Sequence, residues 1–161
     1  MEITFMELGE FVTEKASETK GMLTHFALEP ENGRHYLFQP NGLNPENGLP
    51  ISPFWITESR IIGGTQITVD LPTEVLGTQV EDKASGFKGL ALDLIYHING
   101  CVHFNVKPKG TIAKTGATIA AQEFDIRRLK GEAIPELSKE EIRKSQQENP
   151  SPAGFPDRSV K

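Results

Sequence analysis

The chain repeats itself at an offset of 68 residues, and this internal duplication constrains the fold more than any other feature. Among the 56 ungapped pairs that begin with Leu8/Leu76 and end with Gly63/Gly131, 15 are identical. The residues retained in both copies are mostly turn and core residues, and few of them are reactive. The pattern therefore predicts a tandem structural unit and points away from an enzyme.

The duplication also predicts the domain organisation. A chain of 161 residues would ordinarily form one domain. The offset instead indicates repeat 1 at residues 1–64, a linker at 65–75, repeat 2 at 76–131 and a C-terminal extension at 132–161. Units of this size bury only about 60% of their unfolded surface. We therefore expect the two repeats to pack against each other or against partners.

Both repeats are predicted to consist of short strands separated by turns. Residues 102–106 alternate in polarity, which places Phe104 on one face and His103 on the other. Asn99-Gly100 predicts a hairpin with a type I′ turn, because both residues tolerate positive φ. Four or five such strands per repeat favour a strongly bent sheet. The predicted fold class is all-β, as two tandem SH3-like small β-barrels.

The segments outside the repeats have their own signals. Residues 65–71 alternate well enough for a strand that bridges the repeats. Ser138 and Glu141 have the spacing of a capping box, which predicts one short helix that ends near Gln147. Asn149-Pro150-Ser151-Pro152 ends the helix, and residues 153–161 have no core-forming pattern, so this tail is either disordered or laid over another subunit.

Composition excludes several function classes. The formal net charge of −5 is unfavourable for binding a nucleic-acid backbone, so no direct nucleic-acid contact is expected. No apolar run approaches the roughly 20 residues of a membrane span, and the first residues do not resemble a signal peptide. Cys101 is the sole cysteine, which fits a reducing compartment. Its position favours a small, half-buried residue over a nucleophile.

Chemical motifs are sparse. The four histidines show no Cys-x-x-Cys, His-x-His or His-Glu-x-x-His spacing, so structural or surface roles are favoured over metal binding. The acidic residues do not single out the converging pair that a hydrolase needs. The sequence therefore predicts no catalytic residue, no metal site and no cofactor.

Four residues of repeat 2 are candidates for binding. Phe87 and Lys88 lie between two glycines at a predicted hairpin tip, where an exposed aromatic ring can anchor a partner. Arg127 and Arg128 offer planar guanidinium groups for an anionic ligand. The alternatives are that Phe87 folds back over the core and that the arginines pair with the chain's own carboxylates.

Repeat 2 carries a recognisable series of residues: Leu76-Gly77, Val80, Asp82-Lys83, Ser85-Gly86-Phe87-Lys88-Gly89, Tyr96, Asn99-Gly100-Cys101, Val106, Pro108, Phe124-Asp125 and Arg128-Leu129. This series resembles a family of small proteins from tailed bacteriophages and prophages. The resemblance covers roughly residues 76–161, including a Pro-Ala-Gly-Phe-Pro stretch near the end. Repeat 1 departs from the pattern, because it lacks the Gly-Phe and Gly-Cys pairs.

The resemblance implies a phage origin but no reaction. The leading hypothesis is a non-enzymatic virion component, such as a capsid-decorating or head- or tail-associated protein, which is oligomeric or bound to the capsid lattice. The alternative is an accessory or anti-defence protein inside the infected cell that binds a host protein or a nucleotide-type signal. That role would favour a pocket near Phe87, Arg127 and Arg128.

Overall fold

The structure, a computed structural model, describes residues 1–135 and is all-β, which confirms the predicted class. Short 3₁₀ turns cover Glu58–Arg60, Thr73–Val75 and Ile126–Arg128. The predicted helix at 138–147 lies outside the described residues. The strands are β1 (Glu2–Met6), β2 (Phe11–Glu14), β3 (Thr19–Glu29), β4 (Gly33–Pro40), β5 (Phe54–Thr57), β6 (Ile61–Ile62), β7 (Gln66–Asp70), β8 (Gln79–Asp82), β9 (Lys88–His97), β10 (Val102–Lys107), β11 (Gln122–Asp125) and β12 (Leu129–Lys130).

Ten of these strands form one continuous sheet that joins the two repeats. In each repeat a long strand, β3 or β9, pairs with a hairpin partner on one side and a short strand on the other. The two long strands then pair with each other in antiparallel fashion. The sheet is open, so the expectation of two closed barrels is wrong. The long strands extend beyond their short partners, and their exposed edges pair with each other instead of closing each repeat.

The two repeats are related by a pseudo-twofold axis. Ala27 and Ile95 occupy equivalent positions, 68 residues apart, and pair with each other. Phe26 and Leu28 of repeat 1 are equivalent to Leu94 and Tyr96 of repeat 2. The pairing exchanges them, since Phe26 pairs with Tyr96 and Leu28 pairs with Leu94. Such reciprocal pairing is what a twofold requires. The axis therefore passes between Ala27 and Ile95.

A two-stranded ribbon of β1 and β7 crosses the same axis. Thr4 pairs with Thr68, and their hydroxyl oxygens are 2.8 Å apart. The Ile-Thr pair of β1 recurs in β7 at an offset of 64 rather than 68 residues. The linker accommodates this difference with the 3₁₀ turn Thr73–Val75, which precedes repeat 2. The strand within the predicted linker is thus the counterpart of β1, and it pairs with β1.

The core lies between the ribbon and one face of the large sheet. Phe5 of the ribbon stacks on Phe26 of β3, with ring centroids 4.4 Å apart. The Tyr36 hydroxyl oxygen accepts a hydrogen bond from the Met6 backbone N–H at 3.0 Å. Fully buried side chains from both repeats, including Phe104, belong to a single cluster. The chain therefore has one shared core, as expected for units too small to be stable alone.

The hairpin at residues 99–100 is present, but its turn is not the predicted type I′. Gly100 has φ of +84°, whereas Asn99 is not in the positive-φ region. Tyr96 pairs with Val102, whereas a two-residue type I′ loop at Asn99-Gly100 would pair Tyr96 with His103. The register is shifted by one residue from the type I′ expectation. A one-residue shift moves side chains to the opposite face of the sheet.

Candidate functional site

Phe87 and Arg128 are brought together beside Phe124. Phe87 is half-buried, and its ring centroid is 5.4 Å from that of Phe124. The Arg128 guanidinium carbon is 5.2 Å from the Phe124 ring centroid. Phe87 therefore packs against the edge of the core, which is the alternative to an exposed anchor.

A buried carboxylate fixes the same turn in each repeat. In repeat 1, Glu14 accepts hydrogen bonds from Ser17 and from Arg60 Nε, the latter at 2.7 Å. In repeat 2, Asp82 accepts two hydrogen bonds from Arg128, at 3.0 and 2.8 Å. These five side chains hold the repeated turns and the last strand of each repeat together. The Arg128 guanidinium group thus donates its hydrogen bonds to the chain's own Asp82 carboxylate.

These hydrogen bonds keep the carboxylates ionised. The Arg60 and Ser17 hydrogen bonds lower the pKa of Glu14 from 4.5 to about 2. Arg128 and Ser85 lower the pKa of Asp82 well below its ordinary value. A carboxylate held this way is a permanent acceptor and does not exchange protons near neutral pH. The two clusters are therefore structural.

The other predicted binding residues also have partners within the chain. Lys88 lies in an open groove and is 3.3 Å from the Glu81 carboxylate. Arg127 forms an ion pair with Asp125, and its Nη2 is 3.9 Å from the Cys101 sulfur. The four predicted binding residues do not converge on one pocket. Their assignment to ligand binding stays a prediction.

A second polar cluster lies on the face of the large sheet opposite the core, and we call it the histidine cluster. It consists of His97 on β9, His103 on β10 and Glu123 on β11. Glu123 Oε1 is 3.2 Å from His97 Nε2 and 2.7 Å from His103 Nδ1. Since the three strands are neighbours in the sheet, alternation places all three side chains on one side. The prediction that His103 lies opposite Phe104 is confirmed.

Two further residues border the cluster. The Asp125 carboxylate is 3.7 Å from His103 Nε2, on the side of the ring that faces away from Glu123. The His25 ring, which comes from repeat 1, lies 4.3 Å from that of His97. Burial, and then the neighbouring His103 imidazole, lowers the pKa of His97. Burial, and then His97, lowers the pKa of His25 in the same way.

The equivalent positions in repeat 1 lack this donor set. His35 corresponds to His103, but Glu29 replaces His97 and Trp55 replaces Glu123. His35 Nδ1 is 3.7 Å from the Glu29 carboxylate and has no hydrogen-bond partner among residues 1–135. The histidine cluster is therefore present in repeat 2 and absent from the equivalent positions of repeat 1. Both repeats have the same strand order, so the strand order does not depend on the cluster.

The sequence analysis did not detect the histidine cluster, because its residues are separated by 6 and 20 positions along the chain. The assumed type I′ turn would have placed His97 and His103 on opposite faces. Strand alternation combined with a three-residue loop at 98–100 would have placed both histidines on one face, but the Asn-Gly signal does not distinguish that loop from a two-residue loop.

The two repeats also differ in the apolar character of their surfaces. Six apolar side chains of repeat 1 are exposed by at least 36% at positions where repeat 2 has a smaller or polar residue. We call these six residues the repeat-1 apolar set. They are Phe11 (Gln79 in repeat 2), Leu43 (Thr111), Leu49 (Ala117), Phe54 (Gln122), Trp55 (Glu123) and Ile62 (Lys130).

Comparisons with known proteins add no assignment. No family model, curated protein or solved structure matches the chain. Within residues 1–135 there is no helix long and apolar enough to cross a membrane.

Proposed function

We propose that the protein is a non-enzymatic, virion-associated protein of a tailed bacteriophage, a capsid-decorating or head- or tail-accessory component that acts through protein–protein contacts. Its partners would be phage structural proteins, most directly the capsid. The phage setting is supported by the resemblance of repeat 2. The mode of action is supported by one observation, the repeat-1 apolar set.

The duplication supplies an internal control for that observation. Repeat 2 adopts the same strand order with Gln79 at the position of Phe11 and Lys130 at the position of Ile62. The fold therefore does not need an apolar side chain at either position. Phe11 and Leu43 are each 63% exposed, Leu49 is 60% exposed and Ile62 is 53% exposed. The set lies on both sides of β3, with Phe54 on β5 and Ile62 on β6. Large exposed apolar side chains that the fold does not require are candidates for contacts with other proteins.

Burial of these side chains would contribute favourably to docking. Full burial of one such side chain contributes about 2 kcal/mol. Burial of two at an interface would therefore contribute about 4 kcal/mol, which is close to a 1,000-fold change in affinity. Repeat 1 would provide the docking surface, and repeat 2 would complete the shared core.

The proposal is tested by quantitative peptide mass spectrometry on purified particles of the source phage, with copy number measured against the major capsid protein. We expect many copies per particle. Absence from particles, together with clear expression in infected cells, would contradict the proposal and favour the intracellular accessory role.

A surface variant tests the mode of action separately. Phe11→Gln, Leu43→Thr, Leu49→Ala and Ile62→Lys together give repeat 1 the residues that repeat 2 carries at the same positions. We expect this variant to fold but to lose incorporation into particles. The control is Ile112→Asn, which makes the reverse exchange at an exposed position of repeat 2. Equal incorporation of the surface variant and the control would contradict docking through repeat 1.

A further inference from the structure

We propose that His97, His103 and Glu123 bind one divalent transition-metal ion of the zinc class. The inference goes beyond the proposed function, since the ion would bind whether or not the chain assembles on a particle. The observation that carries it is the convergence of two imidazole nitrogens and a carboxylate on one point of the sheet surface, with all three ligand atoms within 4.8 Å of one another.

The distances between the Glu123 carboxylate and the two imidazoles are close to those around a single ion. Zinc lies about 2.0–2.1 Å from nitrogen and oxygen ligands, so two ligands at a tetrahedral angle are roughly 3.3 Å apart. The distances from Glu123 Oε1 to His97 Nε2 and His103 Nδ1 are 3.2 and 2.7 Å. Ion binding would require the Glu123–His103 contact to widen.

Lone-pair geometry favours a cation at this point. Both nitrogens of His103 face carboxylate oxygens, Nδ1 toward Glu123 and Nε2 toward Asp125. A neutral imidazole has only one N–H, so His103 meets both carboxylates favourably only when a positive charge is present there, as a second ring proton or as a bound cation. A metal ion at Nδ1 supplies that charge and accepts the lone pairs of His103, His97 and Glu123 together.

Asp125 is placed to orient the ligand. Histidine ligands commonly direct their second ring nitrogen toward a carboxylate, which fixes the ring and strengthens the metal bond. Asp125 lies on that side of His103 and is itself held by Arg127. Asp125 is thus a positioning residue and not a ligand.

The donor set indicates the class of metal. Two imidazoles and one carboxylate suit zinc, nickel, cobalt or iron(II) rather than calcium or magnesium, which prefer all-oxygen sites. Three protein ligands leave a fourth position for water or another donor. Glu123 is 42% exposed, so an ion can enter from solvent without unfolding of the sheet.

The experiment uses the full chain without a polyhistidine tag. The protein is equilibrated with Zn²⁺ by dialysis, the bound metal is counted by elemental mass spectrometry, and the affinity is measured by calorimetry. We expect one zinc per chain. Glu123→Gln and His103→Gln should each lower the affinity by more than about 100-fold, since loss of a ligand exceeds the 10- to 100-fold effect of an outer carboxylate.

The duplication provides the matched control. His35→Gln alters the equivalent histidine of repeat 1, where Trp55 replaces the carboxylate ligand, and should leave zinc binding unchanged. Far-ultraviolet circular dichroism checks that each variant is folded. Retention of less than one zinc by the wild type, or equal loss of affinity in His35→Gln and His103→Gln, would overturn the proposal.

Discussion

Replacement of Phe104 by alanine should destabilise the whole chain and not repeat 2 alone. Phe104 is fully buried on β10, where it is paired with Leu94 of β9 and Phe124 of β11. A buried phenylalanine hides about 150–200 Å². At about 25 cal/mol/Å², this area corresponds to about 4–5 kcal/mol.

The net cost follows from two corrections. Alanine retains the Cβ atom, which lowers the loss, whereas the cavity left behind raises it. The free energy of unfolding should therefore fall by about 3–5 kcal/mol. For a folded region of this length the melting temperature should drop by about 10–20 °C. Because both repeats share one core cluster, the variant should still unfold in a single transition.

The assay is urea unfolding followed by circular dichroism and by fluorescence of Trp55, which lies in repeat 1. The two probes should report the same lowered midpoint. Ile112→Ala, at an exposed position of repeat 2, is the control and should cost less than about 1 kcal/mol. A cost below about 1 kcal/mol for Phe104→Ala would refute the packing argument. An unchanged midpoint for Trp55 fluorescence would refute the shared core.

Two further predictions concern polar groups. Tyr36→Phe should lower the free energy of unfolding by about 1–3 kcal/mol in urea titrations, because it leaves the buried Met6 N–H without its acceptor. An unchanged free energy of unfolding would mean that water replaces the hydroxyl. The lowered pKa values of Glu14 and Asp82 stabilise the fold above the unfolded-state values of 4.5 and 3.8, and this contribution is lost as the pH falls toward 2. Arg60→Gln should therefore be less stable than the wild type at pH 7, and the difference should shrink between pH 5 and pH 2. A difference that does not vary with pH would contradict the role of the Glu14–Arg60 pair.

Much of the local structure could be predicted because its causes are local. Alternation along residues 102–106 correctly placed Phe104 in the core and His103 on the other face. The Asn99-Gly100 segment correctly marked a hairpin, since glycine tolerates positive φ. The alternative that the arginines pair with the chain's own acids also proved right. Arg60 pairs with Glu14 in repeat 1, and Arg128 pairs with Asp82 at the equivalent positions of repeat 2.

The histidine cluster could not be predicted in the same way. Its residues come from three strands, and their meeting depends on a hairpin register that one loop residue changes. The turn signal at Asn99-Gly100 is compatible with more than one loop, and each loop sends His97 to a different face. Only the assembled sheet selects between them.

The sequence by itself determined the duplication, the all-β class and the alternation of each strand, because these depend on residue spacing and on turn residues that act over a few positions. The tertiary structure alone decided how the repeats join. Pairing of β3 with β9 about Ala27 and Ile95 turns two small units into one open sheet with one core. It does so because long-range strand pairing depends on which edges are left free after the local hairpins form, and no local pattern records that outcome.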